Sequence, residues 1–299
     1  GYIPGMSSLQ DNLAATKAWI DRELDLRLPP ATERPAALHE AMRYSVLAGG
    51  KRLRPILCLA AASAVGGSAA DALLPALAIE VLHTYTLIHD DLPAMDDDSL
   101  RRGLPTCHVK FGETQAILAG DALLTLAFEW ISECTAPKPY LPNQLALELA
   151  TAAGSRGVIA GQVEDLAAEG REPDADIVDY IHLHKTAELI RASVRIGAIT
   201  AGAKPPELDA LTIYGCNVGL AFQITDDILN ATSSAEVLGK AAGTDSARRK
   251  MTYPALYGIE GARKRAEELV DRALDELEKL KGNTEPLNGI ARHVLQRER

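Results

Sequence analysis

Two short acidic segments are the parts of this sequence best suited to chemistry. The first runs from Asp90 to Asp98 and has aspartates at both ends. On a continuous helix Asp90 and Asp96 would lie about 240° apart, because each residue turns about 100°. Pro93 removes a helical hydrogen bond and disfavours helical geometry at the residue before it. We therefore expect the helix to end or bulge there, which would return Asp96 to the side of Asp90.

The second acidic segment lies inside another apolar helix. Gln223, Asp226 and Asn230 have the spacing i, i+3, i+7 and share one face. Oxygen-only ligand sets suit Mg²⁺, which prefers one or two carboxylates, retained waters and substrate phosphates. Two apolar helices that each carry acidic residues therefore predict a Mg²⁺ site in which the metal bridges to a diphosphate. For Asp96–Asp98 alone, a solvated loop remains the alternative.

A cationic segment precedes the acidic ones. Gly49–Pro55 reads Gly-Gly-Lys-Arg-Leu-Arg-Pro, and Lys51, Arg54 and helix amides there could hold a phosphate. His83 lies about 20° from Asp90 in helical projection, so both face the same space. A solvated turn and a satisfied core histidine are the respective alternatives. Together the residues predict a metal-free anion site, which consists of Lys51, Arg54, His83 and Arg102.

Further cations are weaker signals when each is taken alone. Lys185-Thr186 interrupts an apolar segment, and Lys240 and Lys250 flank the glycine-containing stretch after the second acidic segment. Single lysines of this kind are usually solvated.

The elements that must position these residues are helices. The 299 residues are 47% hydrophobic and 24% charged, which is enough for a real core. Only 4% are aromatic, and the recurrence of alanine and leucine favours packed helices over a β-sandwich or barrel. No linker divides the chain. We predict one all-α domain.

Helical periodicity predicts elements along the whole chain. They are Ser8–Leu26, Pro35–Leu47, Pro55–Val65, Asp71–Asp91, Glu113–Cys134, Asn143–Ala168, Asp174–Thr200, Glu207–Leu229 and Pro254–Leu280. Asp71–Asp91 is apolar on nearly its whole circumference, so it should lie at the centre of a bundle. Carboxylates at the end of such a helix need cations or an aqueous cavity, because burying unpaired charge is costly.

Charge and cysteine usage narrow the class of protein. The formal charge of −10 disfavours a nucleic-acid partner. Cys58, Cys107, Cys134 and Cys216 lack metal-ligand spacing, so we expect reduced thiols in a cytoplasmic protein and no zinc site. No uncharged apolar run reaches about 18 residues, so no membrane insertion is expected. Residues 1–6 read as an expression remnant before a domain at 7–299, and a removed organelle-targeting peptide stays an alternative.

From about Leu38 to Gly258 the sequence resembles the trans-isoprenyl diphosphate synthases, the family of farnesyl and geranylgeranyl diphosphate synthases. Five ordered motifs carry the resemblance: Gly49–Pro55, Leu87–Asp96 with Arg101-Arg102-Gly103, His184-Lys185-Thr186, Phe222–Leu229 and Thr252-Tyr253-Pro254. The resemblance implies an isoprenoid synthase type bundle of about ten or more helices around a deep central cavity. It also implies a homodimer that joins isopentenyl diphosphate head to tail to dimethylallyl or geranyl diphosphate.

The resemblance further implies roles for particular residues. Metal ligands would be Asp90, Asp96 and Asp226, supported by Asp91, for Mg²⁺ that binds as three ions with the allylic diphosphate. Cations that would clamp this diphosphate are Arg101, Lys185, Lys240 and Lys250. Those that would hold isopentenyl diphosphate are Lys51, Arg54, His83 and Arg102. Thr186 and Gln223 would line the region where the allylic cation forms, and together with Lys185 they would be the catalytic residues. The departing diphosphate would take the final proton.

Two positions bear on variation within that family. Asn230 stands where a third aspartate is usual, and we expect activity to persist. Tyr85 lies ~7.5 Å before Asp90 along the helix axis, where its ring would close the pocket floor. With Pro93-Ala94, it resembles the bacterial-type farnesyl diphosphate synthases. In projection, however, Tyr85 lies about 140° from Asp90 and Thr86 about 40°, so Tyr85 as a core residue remains an alternative.

The predicted activity is therefore a farnesyl diphosphate synthase. Geranylgeranyl diphosphate synthase is the first alternative, followed by a class I terpene cyclase and a non-catalytic prenyltransferase subunit. A cyclase would have no use for the second anion site, and a non-catalytic subunit would be expected to have lost acidic motifs.

Overall fold

The structure, a computed structural model, describes residues 8–238 and 251–297. In these ranges helices predominate, and the only strands are β1 (Leu100–Arg101) and β2 (Leu104–Pro105), which pair antiparallel. The all-α class predicted from composition and periodicity is confirmed.

The helices of the described ranges follow one another through short connections. They are α1 (Leu9–Arg27), α2 (Ala36–Leu47), α3 (Leu53–Ala64), α4 (Leu73–Asp90), α5 (Cys107–Phe111), α6 (Glu113–Ser132), α7 (Gln144–Ala153), α8 (Val158–Ala167), α9 (Ala175–Ile181), α10 (Glu188–Thr200), α11 (Pro205–Leu238), α12 (Tyr253–Leu277) and α13 (Glu285–Gln296). A 3₁₀ turn, Ala69–Ala72, leads into α4, and a π-helix, His182–Ala187, joins α9 to α10.

The central helix is α4, as its all-round apolar sequence predicts. It packs against α3 and α6, while α10 packs against α3 and α11. By length and hydropathy alone residues 69–90 would pass as a membrane span, but 72% of that window is buried inside the protein. Burial on all sides is the environment of a core helix.

Two predicted helices are interrupted. The stretch from Asn143 to Ala168 was predicted as one helix, which is wrong: α7 and α8 are separate. At Gly157, between them, φ is −125° and ψ is −124°, and a Cβ there would lie 1.9 Å from the carbonyl oxygen of Ala152. The predicted helix Asp174–Thr200 contains the π-helix, which changes the angular position of every side chain after it.

The first acidic segment begins where α4 ends. After Asp90 the chain turns, and the Asp96 N–H donates to the carbonyl of Asp90 at 2.8 Å. The Asp98 N–H likewise donates to the carbonyl of Asp91 at 3.1 Å. The helix therefore ends before Pro93, as predicted, and the segment folds back onto the end of α4.

Candidate active site

A single cavity of about 540 Å³ brings the two acidic segments together. Asp90 at the end of α4 and Asp226 in α11 both line it. The loop before α3, the β1–β2 hairpin, α8, the π-helix and α10 complete its wall. The cavity also contains Arg297, just beyond α13.

Asp90, the last residue of α4, is partly buried and lines the cavity. Burial raises the pKa of this carboxyl from 3.8 to about 7; the cation of Lys185 opposes the rise, and the charges of Asp96 and Asp91 add to it. Asp96 has its carboxylate oxygen 3.4 Å from Nε2 of Gln162, a donor on α8 that lines the cavity. Negative charge is therefore concentrated where the cavity meets the end of α4.

Asp91 faces away from Asp90 and is buried. Nε and Nη2 of Arg101 donate to its two carboxylate oxygens at 2.9 and 2.7 Å. This two-point contact fixes the guanidinium plane of Arg101 at the cavity wall.

Lys185 extends from the π-helix toward the acidic end of the cavity. Its Nζ donates to Oδ2 of Asp165 at 2.5 Å. Burial lowers the pKa of Lys185, but Asp165, Asp96 and Asp90 outweigh burial and raise it above its usual value. Lys185 therefore remains a cation that faces the first acidic segment.

The second acidic segment separates into an exposed and a buried aspartate. The side chain of Asp226 is 42% exposed, and Nη2 of Arg297 lies 3.4 Å from its Oδ1. The guanidinium of Arg297 also lies over the Phe222 ring, 4.5 Å from its centroid. Asp227 is buried and accepts from Gln223 at 2.9 Å. The predicted common face holds only in part, because Gln223 and Asp226 line the cavity whereas Asn230 is exposed and does not.

The residues predicted to form a metal-free anion site lie around the same cavity. All four, Lys51, Arg54, His83 and Arg102, line the cavity. Arg54 is partly buried, and its buried Nε has no hydrogen-bond partner among the described residues. An orphaned cationic donor that faces a cavity fits an anionic ligand.

His83 contributes a neutral ring to this site. Burial lowers its pKa well below 6.5, and Arg54 and Arg102 lower it further. Its Nε2 lies 3.3 Å from Nη1 of Arg54. Since a guanidinium only donates, Nε2 accepts and the ring proton lies on Nδ1.

The loop that carries Lys51 is held by residues that sequence reasoning missed. Arg52, in the left-handed region at φ 55°, donates to Asp21 at 2.6 Å, to buried Glu80 of α4 at 3.0 Å and to a backbone carbonyl. Gly50, at φ 124°, leaves room for Arg102, whose guanidinium would lie 2.9 Å from a Cβ at that position.

Gln162, Asp165 and Arg297 were also missed. Gln162 and Asp165 are spaced i, i+3 on α8, which is a detectable polar pair. Arg297 gives no signal in a sequence, because basic residues near chain ends are common.

The donor set is suited to a hard cation that brings its own further ligands. Among the described residues no three His, Cys, Asp or Glu side chains converge closely enough to enclose an ion. Carboxylates that face a cavity lined with cations fit Mg²⁺ that completes its shell with water and phosphate oxygens. Lys240 and Lys250 lie outside the described residues.

Tyr85 does not line the described cavity. It is buried and packs edge-on against His89, with ring centroids 5.6 Å apart. Its neighbour Thr86 lines the cavity instead. Helical projection had left open a core position for Tyr85. Relative to this cavity, Tyr85 does lie in the core.

Comparison with known proteins agrees with this geometry. Residues 35–285 match the polyprenyl synthetase family. The farnesyl diphosphate synthase of Escherichia coli (strain K12) is 49% identical over 264 residues, covering 86% of this chain and 88% of its own length. Geranylgeranyl pyrophosphate synthase 12, chloroplastic, of Arabidopsis thaliana is 47% identical over 283 residues, covering 92% and 78%. Among solved structures, an FPP/GFPP synthase from Zymomonas mobilis superposes with a TM-score of 0.84 at 36% identity, covering 96% of this chain and 98% of that one. The chain therefore belongs to the polyprenyl synthetase family.

Proposed function

We propose that this prenyltransferase joins isopentenyl diphosphate head to tail to dimethylallyl or geranyl diphosphate and releases farnesyl diphosphate. The observation that carries the proposal is that Asp90 and Asp226 share one cavity with the metal-free cations Lys51, Arg54 and Arg102. One cavity thus contains two chemically distinct places for a diphosphate.

The acidic side of the cavity would hold the allylic diphosphate. Asp90, Asp96 and Asp226 would hold Mg²⁺, which neutralises charge on the departing diphosphate. The side chains of Arg101 and Lys185 would bind the same diphosphate directly, and so would Lys240 and Lys250. Arg101 is fixed by Asp91 and Lys185 by Asp165 before the substrate arrives, so these two cations need little reorganisation when the bond breaks.

The metal-free side would hold isopentenyl diphosphate. Arg54 offers a buried donor with no partner among the described residues, and His83, Lys51 and Arg102 surround the same space. Binding there would hold the alkene of isopentenyl diphosphate next to the allylic carbon, so the two reacting groups need not meet by diffusion. A terpene cyclase needs no such second site, so these cations favour chain elongation.

The cavity wall between the two diphosphates would receive the allylic cation. Thr186 and Gln223 line it there, and the hydroxyl of Thr186 donates to the amide oxygen of Gln223 at 2.8 Å. Apolar neighbours such as Leu189 and Phe222 would exclude water. The departing diphosphate would take the final proton.

The farnesyl product is supported by Tyr85, an aromatic ring one turn before Asp90, and by the farnesyl diphosphate synthase relative. Geranylgeranyl diphosphate is the second candidate. It is favoured by the placement of Thr86 rather than Tyr85 on the described cavity, and by relatives that are named geranylgeranyl synthases.

We also propose a cytoplasmic homodimer. Val109, Ile117 and Leu118 lie close together in sequence on α5 and α6 and are about half exposed, which a second copy would cover. Light scattering after size exclusion should give twice the mass of one chain, and a monomeric mass would contradict this. The four free cysteines fit a reducing compartment, where cell fractionation should find the protein.

Product analysis tests the proposed function. The purified chain is incubated with labelled isopentenyl diphosphate, Mg²⁺ and, in turn, dimethylallyl, geranyl or farnesyl diphosphate, and the products are sized. We expect a C15 product from the two shorter primers and little extension of farnesyl diphosphate. A C20 product would favour the second candidate, and no transfer with any primer would refute prenyl transfer.

A further inference from the structure

A chain of hydrogen bonds links the cavity wall to a buried aspartate that does not line it. Thr186 Oγ1 donates to Gln223 Oε1 at 2.8 Å, and Gln223 Nε2 donates to Asp227 Oδ1 at 2.9 Å. Thr186 and Gln223 line the cavity, whereas Asp227 does not and is only 7% exposed. Asp227 therefore reaches the cavity through two other side chains.

The chemistry of a carboxylate sets the direction of this chain. A carboxylate only accepts, so Gln223 must turn its NH₂ group to Asp227 and its carbonyl oxygen to Thr186. Thr186 has one hydroxyl proton, and that proton is donated to this carbonyl. The Thr186 oxygen therefore presents a lone pair, and not a proton, to the cavity.

The second carboxylate oxygen of Asp227 contacts a different residue, His182. His182 Nε2 lies 2.9 Å from Asp227 Oδ2, in an off-axis contact, since Oδ2 has no well-aligned donor among the described residues. The ring of His182 stacks on Tyr253, whose hydroxyl donates to Asp179 at 3.0 Å. His182 and Thr186 are four residues apart in the π-helix, roughly one turn, so both face α11.

We propose that Asp227 is a positioning residue that orients Gln223 and, through it, Thr186, so that oxygen lone pairs face the electron-deficient allylic carbon. This rests on the proposed function. A lone pair stabilises positive charge that develops at that carbon, whereas a hydroxyl proton at the same place would oppose it. Asp226 and Asp227 then have different tasks, one toward the diphosphate and the other toward the carbon chain.

The Thr186 side chain gives the first test. Two prenyl analogues of equal shape, one a neutral hydrocarbon and one an ammonium that imitates the allylic cation, are titrated calorimetrically with Mg²⁺ and inorganic diphosphate present. Wild type should prefer the ammonium, Thr186→Val should lose about tenfold of that preference, and Thr186→Ser should keep it. Stronger ammonium binding by Thr186→Val would show that the hydroxyl presents its proton, and would overturn the proposal.

Asp227→Asn gives the second test. Asparagine has nearly the same shape but can donate to Gln223, so the amide is free to reverse. We expect kcat to fall about tenfold, KM for both substrates to change less than about twofold, and the ammonium preference to fall as in Thr186→Val. When Asp227→Asn and Thr186→Val are combined, their losses of ammonium preference should not add, because both changes break the same chain of hydrogen bonds. Additive losses, or an unchanged kcat, would overturn the proposal.

The controls separate folding and function. Thermal unfolding shows whether Asp227→Asn folds, and if it does not, the Thr186 pair can still overturn the proposal by showing that a proton faces the cavity. A wild-type chain that transfers no prenyl group would refute the proposed function. An active wild type with an equally active Asp227→Asn variant would refute only the role given to Asp227.

Discussion

Asp91 and Arg101 form a two-point ion pair, with hydrogen bonds of 2.9 and 2.7 Å, so Asp91 is turned away from its neighbour Asp90. Both of its oxygens are occupied by the guanidinium that faces the acidic side of the cavity. Asp91→Asn should therefore disturb the binding of the allylic diphosphate more than the binding of metal. We expect KM for that substrate to rise about tenfold and half-saturating Mg²⁺ to change less than about twofold. A larger effect on Mg²⁺ would make Asp91 a metal ligand.

Asp226 and Asn230 of the second acidic segment should differ sharply in importance for turnover. Asp226 lines the cavity and Asn230 does not. Asp226→Ala should nearly abolish turnover, and Asn230→Asp should change it only modestly. Steady-state rates at saturating substrates check this, and equal indifference to both changes would refute the assignment of Asp226.

Arg297 should compete with metal for Asp226. Its Nη2 lies 3.4 Å from the carboxylate, which is partly exposed, so the pair contributes about 1 kcal/mol or less. Arg297→Gln should lower the Mg²⁺ concentration at half-maximal activity by about two- to fivefold. Arg292→Gln on α13 is a matched control, because the Arg292 side chain donates to Asn288 at 2.8 Å and lies outside the cavity lining. A higher Mg²⁺ requirement in Arg297→Gln would mean that Arg297 helps to bind substrate instead.

Metal binding should depend on pH near neutrality. Burial raises the pKa of Asp90 to about 7, so the carboxyl is protonated below that pH in the metal-free protein. Mg²⁺ binds the ionised form, so apparent affinity should rise about tenfold from pH 6 to pH 8 and then level off. Calorimetry in buffers of different ionisation enthalpy should also show proton release on binding at pH 6. Asp90→Asn should remove this pH dependence. His83 should not contribute, since its lowered pKa keeps the ring neutral throughout.

Product length should respond to the residues one turn before Asp90. Tyr85→Ala opens space below the acidic end of α4 and should lengthen the product beyond C15. Thr86→Ala serves as the comparison, because Thr86 lines the described cavity. Chain-length analysis with each primer distinguishes the two. Longer products from Thr86→Ala alone would move the pocket floor from Tyr85 to Thr86.

Residues whose own side chains face the cavity were largely predictable from the sequence. Pro93 indicates the end of α4, and helical projection places His83 beside Asp90. The same projection favoured Thr86 over Tyr85 as the residue nearer the cavity. Each of these follows from spacing along one helix, which a sequence contains.

Contacts between separate elements were not predictable in the same way. Arg52 reads as one of three cations in a loop, yet it is buried against Glu80 and Asp21, from two other helices. The π-helix could not be predicted from the periodicity of residues 174–200, because one extra residue in a single turn shifts the apolar pattern too little to be recognised. Helices α5 and α13 were missed, since α5 is only five residues long and α13 carries Pro286 and Gly289.

The position of α4 has a consequence for how the two halves of the reaction are kept apart. His83 and Asp90 are on the same face of this buried helix, seven residues and therefore about 10.5 Å apart along its axis. The members that α4 contributes to the two proposed anion sites are thus separated by a length of rigid core. Changes in the hairpin or in the Gly49–Pro55 segment can weaken either proposed site, but they leave the distance between His83 and Asp90 along α4 unchanged.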